Sequence, residues 1–294
     1  MRVHKLIVIL TLHLLLLDCT QIQKSTGNDP NPKKKKEKRE KETLALLLLL
    51  QPSPVIIGEE KKEFKSSMKI LIPAYFYDSY FWNQLLKKVN ENFVVILNPS
   101  NGPGTSSDWL YPQYQYWNRK LVEKNAIVIG YVPTDYGRRN IDSVKNDIQQ
   151  WRILFRGIQG FFIDEASSNK DSLSYYQEIY NYVKGINSNL KVVLNHGVFP
   201  ESEFYDIADI NVVYEEDPNK LTSFSPRDNE LKYSKEHFAM IIHSADKKDL
   251  EKMLLYVEEK HIGFIYITDK TMPNPFDELP SFWDDFTSKF FIVN

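Results

Sequence analysis

From Met68 onward, short apolar runs alternate with longer segments in which apolar residues recur every three or four positions. The runs are KILIPAYF (69–76), VVILNP (94–99), AIVIGYV (126–132), GFFID (160–164), KVVLNH (191–196), INVVYEE (210–216), FAMIIH (238–243) and IGFIYITD (262–269). Most are apolar at nearly every position, the pattern of parallel strands covered on both faces. Helical periodicity predicts helices over 79–90, 114–124, 141–155, 171–186 and 247–260, with a weaker helical pattern between the sixth and seventh runs. Eight such units between residues 68 and 294 match a compact α/β barrel of the (β/α)8, TIM type, whose usual size is about 250 residues. A doubly wound open sheet is the alternative, but it normally carries a Gly-rich turn after its first strand. Here that turn reads PAYFYDSYFW, without a glycine. The Gly-rich turn after the second run, Asn98-Pro99-Ser100-Asn101-Gly102-Pro103-Gly104, carries two prolines, which remove amide donors that a phosphate cradle needs.

The pattern ahead of residue 68 is different. Arg2, His4 and Lys5 precede an apolar stretch over 6–17, the short basic and apolar regions expected of a secretory signal, and too short to span a bilayer. A buried helix at the chain start is the alternative. Residues 1–19 therefore read as a signal peptide or, because Cys19 follows directly in LLLLDC, as a lipoprotein-type signal, although Asp18 stands where that signal wants a small residue. Residues 20–67, with KKKKEKREKE at their centre, read as a disordered basic linker that cannot bury enough apolar surface to offset ordering entropy. The run LALLLLL at 44–50 is again too short for a membrane span. The chain is expected to be secreted or extracellular. Tethering to a membrane or cell wall would run through the N-terminal segment, through Cys19 if it is lipidated.

Composition sharpens this division. The 294 residues hold 37 Lys+Arg against 39 Asp+Glu, a net charge of −2. Residues 1–67 carry 13 basic and 8 acidic residues, so their surplus of five leaves −7 for residues 68–294. A nucleic-acid partner is not expected of an acidic domain. One cysteine permits neither an internal disulfide nor a Cys-based zinc site.

Barrel enzymes build their sites at the carboxyl ends of the strands. The residues there are Tyr75 and Tyr77; Asn98; Tyr131 and Asp135; Asp164 and Glu165; Asn195 and His196; Glu215, Glu216 and Asp217; His243; and Thr268 and Asp269. In GFFIDEAS three apolar residues deliver Asp164 and Glu165 to a strand end, where a helix cap is the structural alternative. Glu215 ends the sixth run in the same way. Two carboxylates facing one cleft are what glycoside hydrolysis requires, one protonated to assist the leaving oxygen and one ionised. The tyrosines after the first three strands, with Trp109, Trp117 and Tyr136, suit a sugar-stacking groove, against which stands ordinary core packing, above all for Trp109 and Trp117. His196 and His243 could join the acids around a metal, but no HxH or HExxH spacing supports it. No GxSxG elbow occurs.

The blocks IPAYFYDSYFW, VILNPSNGPG, VIGYVPTDYGRR, GIQGFFIDEAS, YYQEIYNYVK, VVLNHGVFPE, DINVVYEE and YITDKTMPNPFDELPSFW occur in this order from about Ile72 to Trp283. Together they resemble the spherulation-specific family 4 (spherulin-4-like) proteins, related to the glycoside hydrolase family 135 α-1,4-galactosaminidases. The resemblance implies a (β/α)8 fold and cleavage of α-1,4-linked galactosamine or N-acetylgalactosamine polysaccharide. It implies functional carboxylates at Asp164, Glu165 and Glu215. Two positions depart from the family pattern: Glu216 replaces a glycine, and Asn195-His196 replaces Asn-Pro.

The resulting expectation is a secreted, endo-acting glycosidase acting as a monomer on a polysaccharide without cofactor or metal. Asp164 would be nucleophile or electrostatic stabiliser and Glu215 general acid/base, or the reverse, with Glu165 polarising or orienting. Tyr75, Tyr77, Asn98, Tyr131, Asn195, His196, His243, Thr268 and Asp269 are expected to bind substrate. The rival expectation is a non-catalytic extracellular carbohydrate-binding or cyst/spore coat protein using the same groove.

Overall fold

The computed structural model describes residues 65–290. The expected signal, Cys19, the run at 44–50 and nearly all of the basic linker lie outside the described residues. Eight parallel strands close into one barrel in sequence order, β8 returning to β1. They are β1 (Lys69–Ala74), β2 (Phe93–Leu97), β3 (Ile127–Pro133), β4 (Gly160–Asp164), β5 (Lys191–Asn195), β6 (Ile210–Glu216), β7 (Phe238–Ile242) and β8 (Phe264–Ile267). The helices are α1 (Ser79–Leu86), α2 (Tyr111–Glu123), α3 (Ile141–Leu154), α4 (Leu173–Ile186), α5 (Leu250–Glu258) and α6 (Trp283–Ser288).

Helix starts follow local chemistry. Asp78 accepts from the Tyr80 amide to cap α1, and Asn140 accepts from the Asp142 and Ser143 amides to cap α3. Pro112 in the first turn of α2 moves its start to Tyr111, ahead of the expected 114, because a proline there forfeits no helical hydrogen bond. The β5–β6 and β6–β7 connections contain no α-helix. The first holds a 3-10 turn at Ser202–Ile207 and the second three, at Pro218–Ser223, Glu230–Lys232 and Lys235–His237. Pro218 and Pro226 interrupt the weak periodicity of the second connection.

That connection is held by a buried acid instead. Glu230, 1% exposed, accepts from the Tyr205 hydroxyl at 2.6 Å and from the backbone amide and guanidinium of Arg227, each at 2.6 Å. Burial alone would push its carboxyl up, but the Arg227 and Tyr205 hydrogen bonds outweigh it and hold the group below the usual carboxylate range.

The strands are buried almost throughout. Gly130 in β3 is required by packing: a Cβ there would lie 2.4 Å from the Trp151 indole, which rests on the strand and donates to the Tyr131 carbonyl at 2.8 Å. β6 carries a bulge between Val212 and Tyr214. A strand alternates faces residue by residue, so one extra residue reverses everything that follows it.

Candidate active site

The bulge decides which acid enters the barrel. Val212 pairs with Asn195, so the two share the interior face. Unbroken alternation from Val212 would send Tyr214 and Glu216 inward. The extra residue instead turns Glu215 inward and Glu216 outward, where it pairs with Lys220.

Glu215 meets Asp164 through one amide. Asn195 Nδ2 donates to Asp164 Oδ1 and to Glu215 Oε2, each at 2.6 Å. Two oxygens each 2.6 Å from a single nitrogen lie at most about 5.2 Å apart. The Asn195 Oδ1 is buried without a partner among the described residues, so this amide is committed to the two acids through its nitrogen. Burial, followed by the neighbouring Asp164, raises the Glu215 carboxyl to about 7, against the opposing Asn195 hydrogen bond.

The wall beside this pair is aromatic. Tyr131 near the end of β3 stands beside Asp164, and burial together with that acid pushes its phenol far above the ordinary range. The Tyr75 ring meets Tyr131 edge-on at 5.8 Å and Phe276 at 5.7 Å, and burial likewise raises its phenol. Both phenols therefore remain protonated and neutral beside the acids.

Glu165 is built differently from Asp164. Its backbone is left-handed, with φ 53°, as are those of Asp135 (48°) and Tyr136 (55°) on the neighbouring loop. For residues other than glycine each such conformation costs on the order of 1–2 kcal/mol and persists only where surroundings over-determine it. Those surroundings are explicit. The Asp135 amide donates to Glu165 Oε2 at 3.0 Å, the Tyr136 amide to the Glu165 carbonyl at 2.8 Å, and the Thr134 hydroxyl to the Asp164 carbonyl at 2.7 Å. The Glu165 carboxylate thus holds the turn after β3 and does not join the Asn195-bridged pair.

The remaining expected residues divide. Tyr77 is at the rim, 55% exposed. Asn98 closes its own loop, Oδ1 accepting from the Gly102 amide at 2.9 Å. Asp269 accepts from the Ser281 amide at 2.9 Å and ties down the segment before α6. Thr268 is buried, its hydroxyl accepting from the Lys270 amide. His243 is buried with Nδ1 2.9 Å from the Ser244 hydroxyl. His196 sits in the layer outside the barrel wall, its ring 4.9 Å from Phe204 and Nδ1 2.9 Å from the Ser167 carbonyl. Burial lowers that imidazole to about 4, so it stays neutral. Asn98, His196 and Asp269 therefore each hold a neighbouring backbone group and are not hydrogen-bonded to the bridged acids.

Of the tryptophans, Trp117 stacks on Trp82 in the core, whereas Trp109 is 71% exposed and corrects the packing alternative for that residue. Thr134 and Phe276 contribute to the site without any signal in the sequence pattern, since both lie in loops beyond the strand ends. Among the described residues no three His, Cys, Asp or Glu side chains converge so as to hold a metal ion.

A closed parallel barrel with bridged carboxylates and tyrosines at its carboxyl end has the architecture of a carbohydrate-active barrel protein. The family model described as spherulation-specific family 4 matches residues 69–290, and the chain belongs to that family. In sequence it is similar to Spherulin-4 of Physarum polycephalum, 28% identical over 213 residues, which make up 69% of this chain and 63% of that protein. The chain thus spans less than two thirds of that relative's length. In structure it is similar to the crystal structure of Aspergillus clavatus Sph3 in complex with GalNAc, with a TM-score of 0.64 and 25% identity, covering 76% of this chain and 97% of that one. In fold alone it is similar to the Bacillus cereus spore cortex-lytic enzyme SleL, with a TM-score of 0.50 and 9% identity over 78% of this chain and 76% of that one.

Proposed function

We propose that this protein is a secreted glycoside hydrolase that cleaves α-1,4-linked galactosamine- or N-acetylgalactosamine-containing polysaccharide with retention of configuration. The observation that carries the reading is the Asn195 amide bridging Asp164 and Glu215 at 2.6 Å each. Retaining glycosidases hold their carboxyl groups about 5–5.5 Å apart, and inverting ones about 6.5–9.5 Å, to admit a water. A ceiling of about 5.2 Å between the bridged oxygens fits the first class.

In this mechanism Glu215, raised to about 7, protonates the leaving glycosidic oxygen as the Asp164 carboxylate attacks the anomeric carbon. A covalent glycosyl ester results, and the leaving sugar departs with the proton. Glu215, now ionised, takes a proton from water, whose oxygen attacks the same carbon and releases Asp164. Asn195 keeps both acids in register, and the Tyr131 hydroxyl supports the Asp164 carboxylate. The similarity to a protein solved with GalNAc supports an amino-sugar ligand.

Release of reducing ends from a galactosaminogalactan-type polymer, with the anomeric configuration of the first product followed by proton NMR, tests the reading. Retained product from the natural sequence, and none from Asp164→Asn or Glu215→Gln, is the expected outcome. Polymer binding without turnover would instead establish the carbohydrate-binding or coat role, and an inverted product would reject the nucleophile.

A further inference from the structure

The interlocked turn after β3 is more elaborate than the positioning of Asp164 requires. Two consecutive left-handed residues, Asp135 and Tyr136, are fixed by the carboxylate and carbonyl of a third, Glu165. The product of this arrangement is an aromatic ring kept in water. Tyr136 is 57% exposed. The guanidinium of Arg138 backs the ring at 5.8 Å from its centroid, and Arg138 is itself pinned to Asp135 at 2.5 Å. The turn is attached to the residue that follows Asp164, so Tyr136 lies on a loop at the carboxyl end of the barrel, the end that carries the bridged acids. Strained backbone of this kind clusters at ligand clamps. A tyrosine with few rotatable bonds offers contact area at low ordering entropy.

We propose that Tyr136 is the stacking platform of a further sugar subsite, taking the apolar face of a pyranose one residue or more along the chain from the bond that is cleaved. Glu165 is its positioning residue, acting through the turn. This rests on the glycosidase reading above and adds a subsite to it. The ligand class is a polymer of hexopyranoses.

The test is a comparison of kcat and KM on graded galactosamine oligosaccharides for the full chain and for Tyr136→Ala, Tyr136→Trp, Glu165→Ala and Glu165→Gln. Calorimetric affinity for the longest oligomer is measured on all five. Tyr136→Ala is expected to raise KM about tenfold on long oligomers with kcat within twofold, while Tyr136→Trp, which keeps a flat ring, restores KM. Glu165→Ala removes the oxygen that accepts from the Asp135 amide and is expected to raise KM on long oligomers as Tyr136→Ala does, whereas Glu165→Gln, which retains such an oxygen, restores it. Unchanged KM in Tyr136→Ala, or equal loss in Tyr136→Ala and Tyr136→Trp, overturns the platform. A fall of kcat in Glu165→Gln as deep as in Glu215→Gln, with KM unchanged, overturns the positioning role. If the natural sequence turns over no oligomer, the glycosidase reading has failed. The calorimetric loss in Tyr136→Ala then still decides for the platform, and its absence against it.

Discussion

Glu215 and Glu230 lie on the same stretch of chain and are both drawn out of bulk water, yet the barrel treats them in opposite ways. Glu230 meets an arginine, a tyrosine hydroxyl and a backbone amide, and its carboxyl is held below the ordinary range. Glu215 has Asp164, Asn195 and Glu216 as the neighbours that move it, none of them a cation, and its carboxyl is raised to about 7. Withdrawal from water is common to both. The difference lies in whether the protein supplies a counter-charge. The first arrangement fastens a loop. The second leaves an acid able to gain and lose a proton near neutrality, which general acid–base work demands.

The largest effect that separates the two is expected on turnover. Glu215→Gln should lower kcat by about 10²–10⁴-fold, the usual contribution of a general acid, while urea unfolding shows a fold at least as stable; Glu230→Gln should leave kcat nearly unchanged. The reverse pattern in reducing-end assays would dissolve the distinction.

Next is the loop brace. Arg227→Met strands Glu230 without its cation. Because the guanidinium is half in water, the loss should be about 2 kcal/mol, below the 3–5 kcal/mol seen when a fully buried pair is broken. The midpoint of urea denaturation at pH 7 measures it.

Stability against pH should then run in opposite directions for the two acids. The folded pKa of Glu215 lies above that of the unfolded chain, so between about 4.5 and 7 the folded state keeps a proton that the unfolded state has released, and stability falls as pH rises through that window. Glu215→Gln should therefore gain on the natural sequence from pH 4.5 to 7 and run parallel above it. Glu230, with a lowered value, contributes stability that is present above the ordinary carboxylate pKa and is lost as acid is added through the folded one. The deficit of Glu230→Gln should accordingly shrink on acidification. Thermal unfolding of the three proteins across pH 3.5–8 distinguishes these slopes.

The smallest effect is expected at the hydroxyl beside the pair. Tyr131→Phe removes the neutral hydroxyl beside Asp164, and should lower kcat about tenfold, the equivalent of roughly 1.4 kcal/mol. An unchanged kcat would mean that Asn195 alone orders the carboxylates.

Much of the barrel was legible in the chain because parallel strands covered on both faces must be apolar throughout, a constraint that survives any detail of packing. Strands β4 and β6 begin and end where their apolar runs do. Direction was the part that pattern could not carry. GFFIDEAS places two acids at a strand end, but only the left-handed backbone of Glu165 turns its carboxylate to the Asp135 amide. His196 follows Asn195 directly and faces the opposite way, into the Phe204 layer. Trp109 and Trp117 look alike as letters around one helix; one lies in the core and the other in solvent, because a loop held by Asp108 and the Thr105 amide precedes the first turn. These outcomes depend on dihedral angles and on loops meeting across the barrel mouth.

The bulge in β6 has a consequence for how such proteins diverge. Which of two adjacent glutamates stands over the cleft is set by the spacing of the strand, since the extra residue between Val212 and Tyr214 selects Glu215 over Glu216. A relative whose sixth strand runs straight would present the neighbouring position instead while carrying the same two letters. Matching acids column by column between such relatives would then pair a reacting group with a surface one.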